Sequence, residues 1–275
     1  MSFIKHFMHP RIAELLKQNY DDQRSDNWYR LRNTMLTASD CASAIGDNFF
    51  KSPEVLILHK VYPQLNTFKG NERTEWGQKY ESVARDIYAE QYKEVVHEIG
   101  LAQHPVHKWL GGSPDGITES GKLIEIKCPN PKNKLKKECP KHYVAQVQVL
   151  LEVLDLEECD FIQYRPDPYE FVVVNMKRDR EWFAEKMPVM KDLWDKVIHG
   201  RKHGLSEFRE DNSTYSKEDA PVSTLHEAVV PDVPVQVVPE PAPVCELHTT
   251  RDALMSEFDS GQGSKLGTAR KAASI

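Results

Sequence analysis

Between Leu123 and Cys128 the chain reads Leu-Ile-Glu-Ile-Lys-Cys. Side chains alternate across a strand, so Ile124 and Ile126 take one face while Glu125 and Lys127 share the other. Charges on such an apolar strand cost free energy to bury unless they are paired or bind something. Just upstream, "GGSPDGI" (111–117) holds a Pro-Asp-Gly turn. A strand pair joined through 117–121 brings Asp115 alongside Glu125. The fold must therefore set two carboxylates and one ammonium at one edge of a sheet. Two carboxylates suit a hard divalent cation, and Mg²⁺ takes one or two of them together with waters and phosphate oxygens. A lysine beside the ion can orient or help deprotonate a water, or stabilise the charge that develops during attack. An isolated Glu-x-Lys pair usually marks a solvated strand face. With the turn acid upstream and the flanking isoleucines, the set fits phosphodiester hydrolysis.

The surrounding pattern alternates helices and strands. Pro10 opens a helix over 10–19, and Ser39 caps another over 40–45 that Gly46 ends. Ser52 caps a third, with Pro53 at its first position. A long helix over 71–92 carries Trp76, Tyr80, Val83, Ala84, Ile87 and Tyr88 along one stripe. Strands are expected near 95–103, 108–112 and 122–128, followed by a helix over 141–154. Two further strands, 159–165 and 169–176, flank a Pro-Asp-Pro turn, and an amphipathic helix closes the domain over 178–202. This predicts an α/β (α+β) domain, a short mixed central sheet flanked by helices.

Residues 204–275 differ in kind. They hold 6 Lys and Arg against 12 Asp and Glu, which accounts for the whole net charge of −6, and residues 221–243 contain six prolines. They read as an acidic, extended linker. "TTRDALMSEFDS" (249–260) can form a short helix capped by Thr250, with Leu254 and Phe258 one turn apart. That segment is either a docking peptide or disordered. Residues 1–203 are neutral overall, so nucleic-acid binding must use a local basic patch rather than a global field. The lysines at 132, 134, 136, 137 and 141 supply one directly after Lys127. Five scattered cysteines lack a Cys-x-x-Cys pair, which speaks against a disulfide frame, a zinc ribbon or an iron–sulfur nuclease and fits a reducing cytosol. No apolar run approaches the ~20 residues that cross a bilayer. A cytoplasmic location is expected, in the host cytoplasm if the chain is phage- or virus-encoded.

Asp115, Glu125 and Lys127 resemble the PD-(D/E)xK nuclease signature. Five stretches in order resemble the phage lambda exonuclease group, the YqaJ-like viral recombinases: "WYRLRNTMLTASD" (28–40), "EWGQKYESVARDIY" (75–88), "GGSPDGI", "LIEIKCP" (123–129) and "YVAQVQVLLEV" (143–153). The resemblance implies a restriction-endonuclease-like core over 1–203 and a Mg²⁺-dependent 5′→3′ exonuclease on double-stranded DNA ends, with Mn²⁺ substituting. Asp115, Glu125 and Glu81 would hold the metal, with the backbone carbonyl of Ile126 as a further ligand. Gln146 would sit by Lys127 and the attacking water, with Gln148 as the alternative, and Tyr143 would support them. Arg32, Ser39 and Ser113 would bind a terminal 5′-phosphate, and Lys132, Lys134, Lys136 and Lys137 would track the DNA backbone. A homotrimeric ring and a single-strand annealing partner are implied as well; the tail lies outside the resemblance and is the expected place for the partner's docking peptide. A structure-selective or site-specific endonuclease on the same fold is the alternative. One departure stands out: the position of an apolar strand-separating wedge holds Thr74.

Overall fold

The computed structural model describes residues 8–66, 70–130 and 133–205. Lys132 and the tail from 206 onward, with its proposed docking helix, lie outside the described residues. The helices are α1 (Pro10–Leu15), α2 (Asp26–Asn33), α3 (Ala38–Ala44), α4 (Pro53–Val61), α5 (Glu72–Tyr92), α6 (Lys141–Leu154) and α7 (Arg180–His203). The strands are β1 (Leu36–Thr37), β2 (Val96–His97), β3 (Ala102–Gln103), β4 (Leu110–Gly112), β5 (Gly116–Thr118), β6 (Lys122–Lys127), β7 (Glu158–Pro166) and β8 (Tyr169–Lys177).

Five strands form the central sheet in the order β2-β5-β6-β7-β8; β6 and β7 are parallel and the other neighbours antiparallel. A smaller sheet, β1-β4-β3, lies beside it. The mixed sheet and its flanking helices are as the periodicity predicts. The parallel β6–β7 step needs a crossover, and α6 supplies it. That helix is apolar nearly all round, with Ala145 and every residue from Val147 to Leu154 buried. It packs with α3, α4 and α7 into the main core on the face of Leu123, Cys159 and Phe161. The opposite face, Ile124, Ile126, Ile162 and Tyr164, is covered by Ala84 and Tyr88 of α5.

Several elements depart from expectation. Helix α1 stops at Leu15. Helix α3 begins at Ala38 with Thr37 in the cap position, so Ser39 lies inside the first turn and does not cap it. The expected strand 95–103 is broken into β2 and β3, which join different sheets. On α5 only Ala84 and Tyr88 of the apolar stripe are fully buried, and Val83 is exposed. Ser52 caps α4 as expected, its hydroxyl accepting from the Val55 amide.

Gly111 and Gly112 make β4 possible. A Cβ at Gly111 would lie 2.7 Å from the Ala102 carbonyl, and one at Gly112 would lie 2.6 Å from Leu150 of α6. The strand is pressed between its neighbours and α6, and that close approach delivers Ser113 and Asp115 to the end of β5.

Candidate active site

The hairpin of β5 and β6 pairs Gly116 with Ile124. Asp115 stands immediately before β5, and the Ile126 amide donates to Asp115 Oδ2 at 2.7 Å. Glu125 is 0% exposed. Its Oε1 accepts from the Lys127 ammonium and, at 2.6 Å, from Gln146 Nε2 on α6. Its Oε2 is buried and has no hydrogen-bond partner. A buried carboxylate oxygen left unsatisfied costs on the order of 1–3 kcal/mol or more, so in a native structure it points to a missing ligand.

Helix α5 is tied to the same turn. Arg85 Nη1 donates to the Asp115 carbonyl at 2.9 Å, and its Nη2 pairs with Glu98 at 2.5 Å. Glu81, one turn earlier on α5, faces this region, with Oε2 3.5 Å from the Arg24 guanidinium. Lys127 Nζ lies 5.0 Å from the centre of the Tyr143 ring. Gln148 is engaged elsewhere: it donates to the Lys177 carbonyl and accepts from the Asp179 amide. Gln146 is therefore the glutamine of the site.

Burial dominates the electrostatics of the cluster. Burial, then the charge of Asp115, pushes Glu125 up to about 8. Burial also raises Asp115, and burial plus the Asp115 charge raises Glu81. Burial disfavours the Lys127 ammonium, yet Glu125 and Asp115 outweigh it and hold its pKa above the usual lysine value. Three acids whose ionised forms burial disfavours, even beside Lys127, Arg24 and Arg85, suit a divalent cation, which would stabilise those forms. Among the described residues no three His, Cys, Asp or Glu side chains already form a metal cage. Glu81 turns to Arg24, and Glu125 to Lys127 and Gln146. The orphaned Glu125 oxygen and the all-oxygen donors Asp115, Glu125 and Glu81 fit Mg²⁺.

Beside the carboxylates lies a cavity of about 190 Å³ lined by Trp28, Arg32, Ser39, Ser113, Asp115 and Gln146, among others. Arg32 Nη2 donates to Ser39 Oγ at 3.0 Å, and its guanidinium lies 4.4 Å from the centre of the Trp28 ring. Trp28 Nε1 donates to Ser113 Oγ at 2.9 Å. The three residues expected to bind phosphate are thus gathered around Trp28. Beneath them Asp40 binds Thr37, Lys51 and Lys60. Burial disfavours the Asp40 charge, but Lys60, Lys51 and Arg32 overcome it and hold its pKa well below the carboxylate range.

On the other side a groove of about 820 Å³ runs past Glu81 and Lys127 between Arg24, Arg73, Lys134 and Lys136, with Thr74 in its lining. Lys137 is exposed but does not line it. Ile126 lines it as well.

Sequence reasoning missed Arg85, Arg24, Trp28 and Gln23. Arg85 stands four residues after Glu81 and Trp28 four before Arg32, a spacing that places each pair on one helix face. Gln23 carries no such signal; its amide donates to the carbonyls of Ile99 and Pro114 and anchors the segment before Arg24 to the acid-bearing turn.

Residues 27–157 match the model of the YqaJ-like viral recombinase domain. This segment is similar to a YqaJ-like viral recombinase domain. Curated relatives include an uncharacterized protein of Acanthamoeba polyphaga mimivirus, 34% identical over 177 residues, covering 58% of this chain and 32% of that protein. A protein of African swine fever virus is 30% identical over 160 residues, 46% of this chain and 44% of its own length. The chain thus spans less than half the length of these relatives. Among solved structures, the alkaline exonuclease LHK-Exo from Laribacter hongkongensis superposes with a TM-score of 0.56 at 25% identity, over 67% of this chain and 98% of its own. Over the superposed residues the chain therefore has a restriction-endonuclease-like fold. Its matched residues include every carboxylate, lysine and glutamine of the site.

Proposed function

We propose that this protein is a Mg²⁺-dependent exonuclease that digests linear double-stranded DNA from 5′ ends to mononucleotides. The 3′ overhangs it leaves would serve recombination by strand annealing. The observation that carries this reading is the buried Glu125 carboxylate, close to Asp115 and bound by Lys127 and Gln146, with one oxygen unsatisfied.

Asp115, Glu125 and Glu81 would hold the metal, with the Ile126 carbonyl as a further ligand. When bound, the ion supplies a Lewis acid for the phosphodiester and its leaving oxygen. Gln146 fixes the Glu125 carboxylate. Lys127, packed over Tyr143, orients the water and donates to charge developing at the phosphorus. Arg32, Ser39 and Ser113 would grip a terminal 5′-phosphate through charge-assisted hydrogen bonds. Asp115 lines the same cavity, so a phosphate held at Arg32 sets a neighbouring phosphodiester near the carboxylates, and each cut supplies a new 5′-phosphate. Lys134 and Lys136, with Lys132 and Lys137, would track the backbone. LHK-Exo was crystallised with dAMP, which supports a mononucleotide product. Mn²⁺ should substitute. A homotrimeric ring, a single-strand annealing partner and a host-cytoplasmic location rest on the family resemblance; sedimentation tests the ring, at three times the 31.6 kDa of the chain.

The test is digestion with Mg²⁺ of 5′-phosphorylated linear duplex, 5′-hydroxyl duplex and a closed circle. The phosphorylated strand should disappear fastest, the circle should survive, and Glu125→Ala and Lys127→Ala should be inactive. Arg32→Ala should erase the preference for 5′-phosphate. Nicking of the circle would replace the exonuclease with a structure-selective or site-specific endonuclease.

A further inference from the structure

Phe49 and Phe50 are the most exposed large apolar residues among those described, at 90% and 84%. They sit in the loop between α3 and α4, and that loop is tied down on both sides. Asn48 Nδ2 donates to Ser43 Oγ at 2.9 Å, and Asn48 Oδ1 accepts from the Phe50 amide at 2.9 Å. Lys51 is bound to Asp40 at 3.1 Å. Two bare phenyl rings on a braced loop gain nothing from the fold itself.

Their positions differ in a way that matters. Phe50 lines the basic groove that passes Lys127; Phe49 does not. Phe50 meets His142 edge-on at 6.5 Å, His142 meets Tyr143 at 4.1 Å, and Tyr143 carries Lys127 at 5.0 Å. An aromatic row thus leads from the groove's rim to the catalytic lysine, with Lys134 and Lys136 in the same lining and Glu81 its one acid. A cationic groove with an aromatic face is the chemistry that holds a single nucleic-acid strand: the cations follow its phosphates and the ring stacks on a base.

We propose that Phe50 is a stacking platform for one unpaired base of the DNA strand lying in this groove. The inference rests on the exonuclease reading and deepens it. It places aromatic base contact in the same groove lining as Thr74, which stands where an apolar wedge is expected.

The test is binding without turnover. The full-length protein in EDTA is titrated with a 5′-phosphorylated single strand carrying 2-aminopurine, and with strands abasic at successive positions. Wild type should quench 2-aminopurine at one position. Phe50→Ala should lose that quenching and bind the intact strand on the order of tenfold more weakly. On the strand abasic at that position it should match wild type, while Phe50→Trp should restore both signals. Phe49→Ala, equally exposed, is the comparator and should leave both unchanged. The ring is exposed, so the melting temperature of Phe50→Ala should equal that of wild type. Equal weakening by both alanine variants, or a Phe50→Ala defect that persists on the abasic strand, would overturn the platform. Failure of wild type to digest linear duplex with Mg²⁺ would overturn it together with the exonuclease reading; duplex digestion with no strand binding, or with no effect at Phe50, would sink the platform alone.

Discussion

Gln148 is buried in α6 with its amide spent on two backbone groups, the Lys177 carbonyl and the Asp179 amide. Gln146, two residues earlier, spends its amide on Glu125. Replacing Gln148 by Ala leaves both backbone groups without a partner at the start of α7, and each buried orphan costs about 1–3 kcal/mol. Gln148→Ala should therefore lower the denaturation midpoint clearly while the folded fraction keeps its activity. Gln146→Ala should do the reverse: near-native stability, with activity down about 10–100-fold, the usual effect of losing a group that orients a metal ligand. Denaturant titration and a nuclease assay on the two variants separate the cases, and swapped phenotypes would refute the assignment. The choice between these glutamines was open in the sequence because a helix's phase against its sheet is set by packing. The closeness of Asp115 and Glu125 was legible, because strand alternation and a short turn leave little freedom. The gathering of Arg32, Ser39 and Ser113 was implied only by resemblance, since their contact runs through Trp28 and the β1–β4 pairing.

At the level of elements, α5 brings Glu81 to the sheet, and two contacts hold it there: the half-buried Arg85 on the Asp115 carbonyl and the buried Tyr88 on Asp160 of β7, the latter at 2.6 Å. Burial works against the Asp160 charge, but hydrogen bonds from Tyr88, Asn175 and Lys122 win and depress its pKa. A depressed carboxylate contributes stability above its unfolded pKa of about 3.9, lost as pH falls through the folded value below it. Tyr88→Phe should cost about 1.5–3 kcal/mol at pH 7, as expected for a hydrogen bond to a charged group. The penalty should shrink as the solution is acidified below pH ~4. Chemical denaturation at both pH values measures this, and a penalty that does not change with pH would remove Asp160 from the account. Long helices such as α5, α6 and α7 were readable from their periodicity. Helix α2 was not, because it is only eight residues long and none of them is fully buried. The expected 95–103 strand failed where Gly100 lies against the Asp21 backbone and the chain turns from one sheet to the other.

Over the whole molecule the charge is divided. Residues 1–203 are neutral, while 204–275 carry the net −6. Arg24, Arg73, Lys134 and Lys136, the cations proposed to face DNA, line one groove. Binding through a few phosphate contacts should weaken with salt, each neutralised phosphate contributing roughly one unit to the slope of log K against log [salt]. Lys134→Ala should reduce that slope by about one, and Lys136→Ala likewise, without changing sequence preference. A tethered chain with a net charge of −6 repels the same phosphates over about a Debye length, ~10 Å at 0.1 M salt. Deleting 206–275 should therefore raise affinity for a DNA end at low ionic strength and steepen the salt dependence, with the two proteins converging above ~0.5 M salt. The same deletion should leave hydrolysis of bound DNA intact and abolish capture of an annealing protein. Fluorescence anisotropy across a salt series measures the first effect and a pull-down the second. Identical salt curves would mean that the acidic segment does not reach the groove's field, and undiminished capture would move the partner site onto residues 1–205.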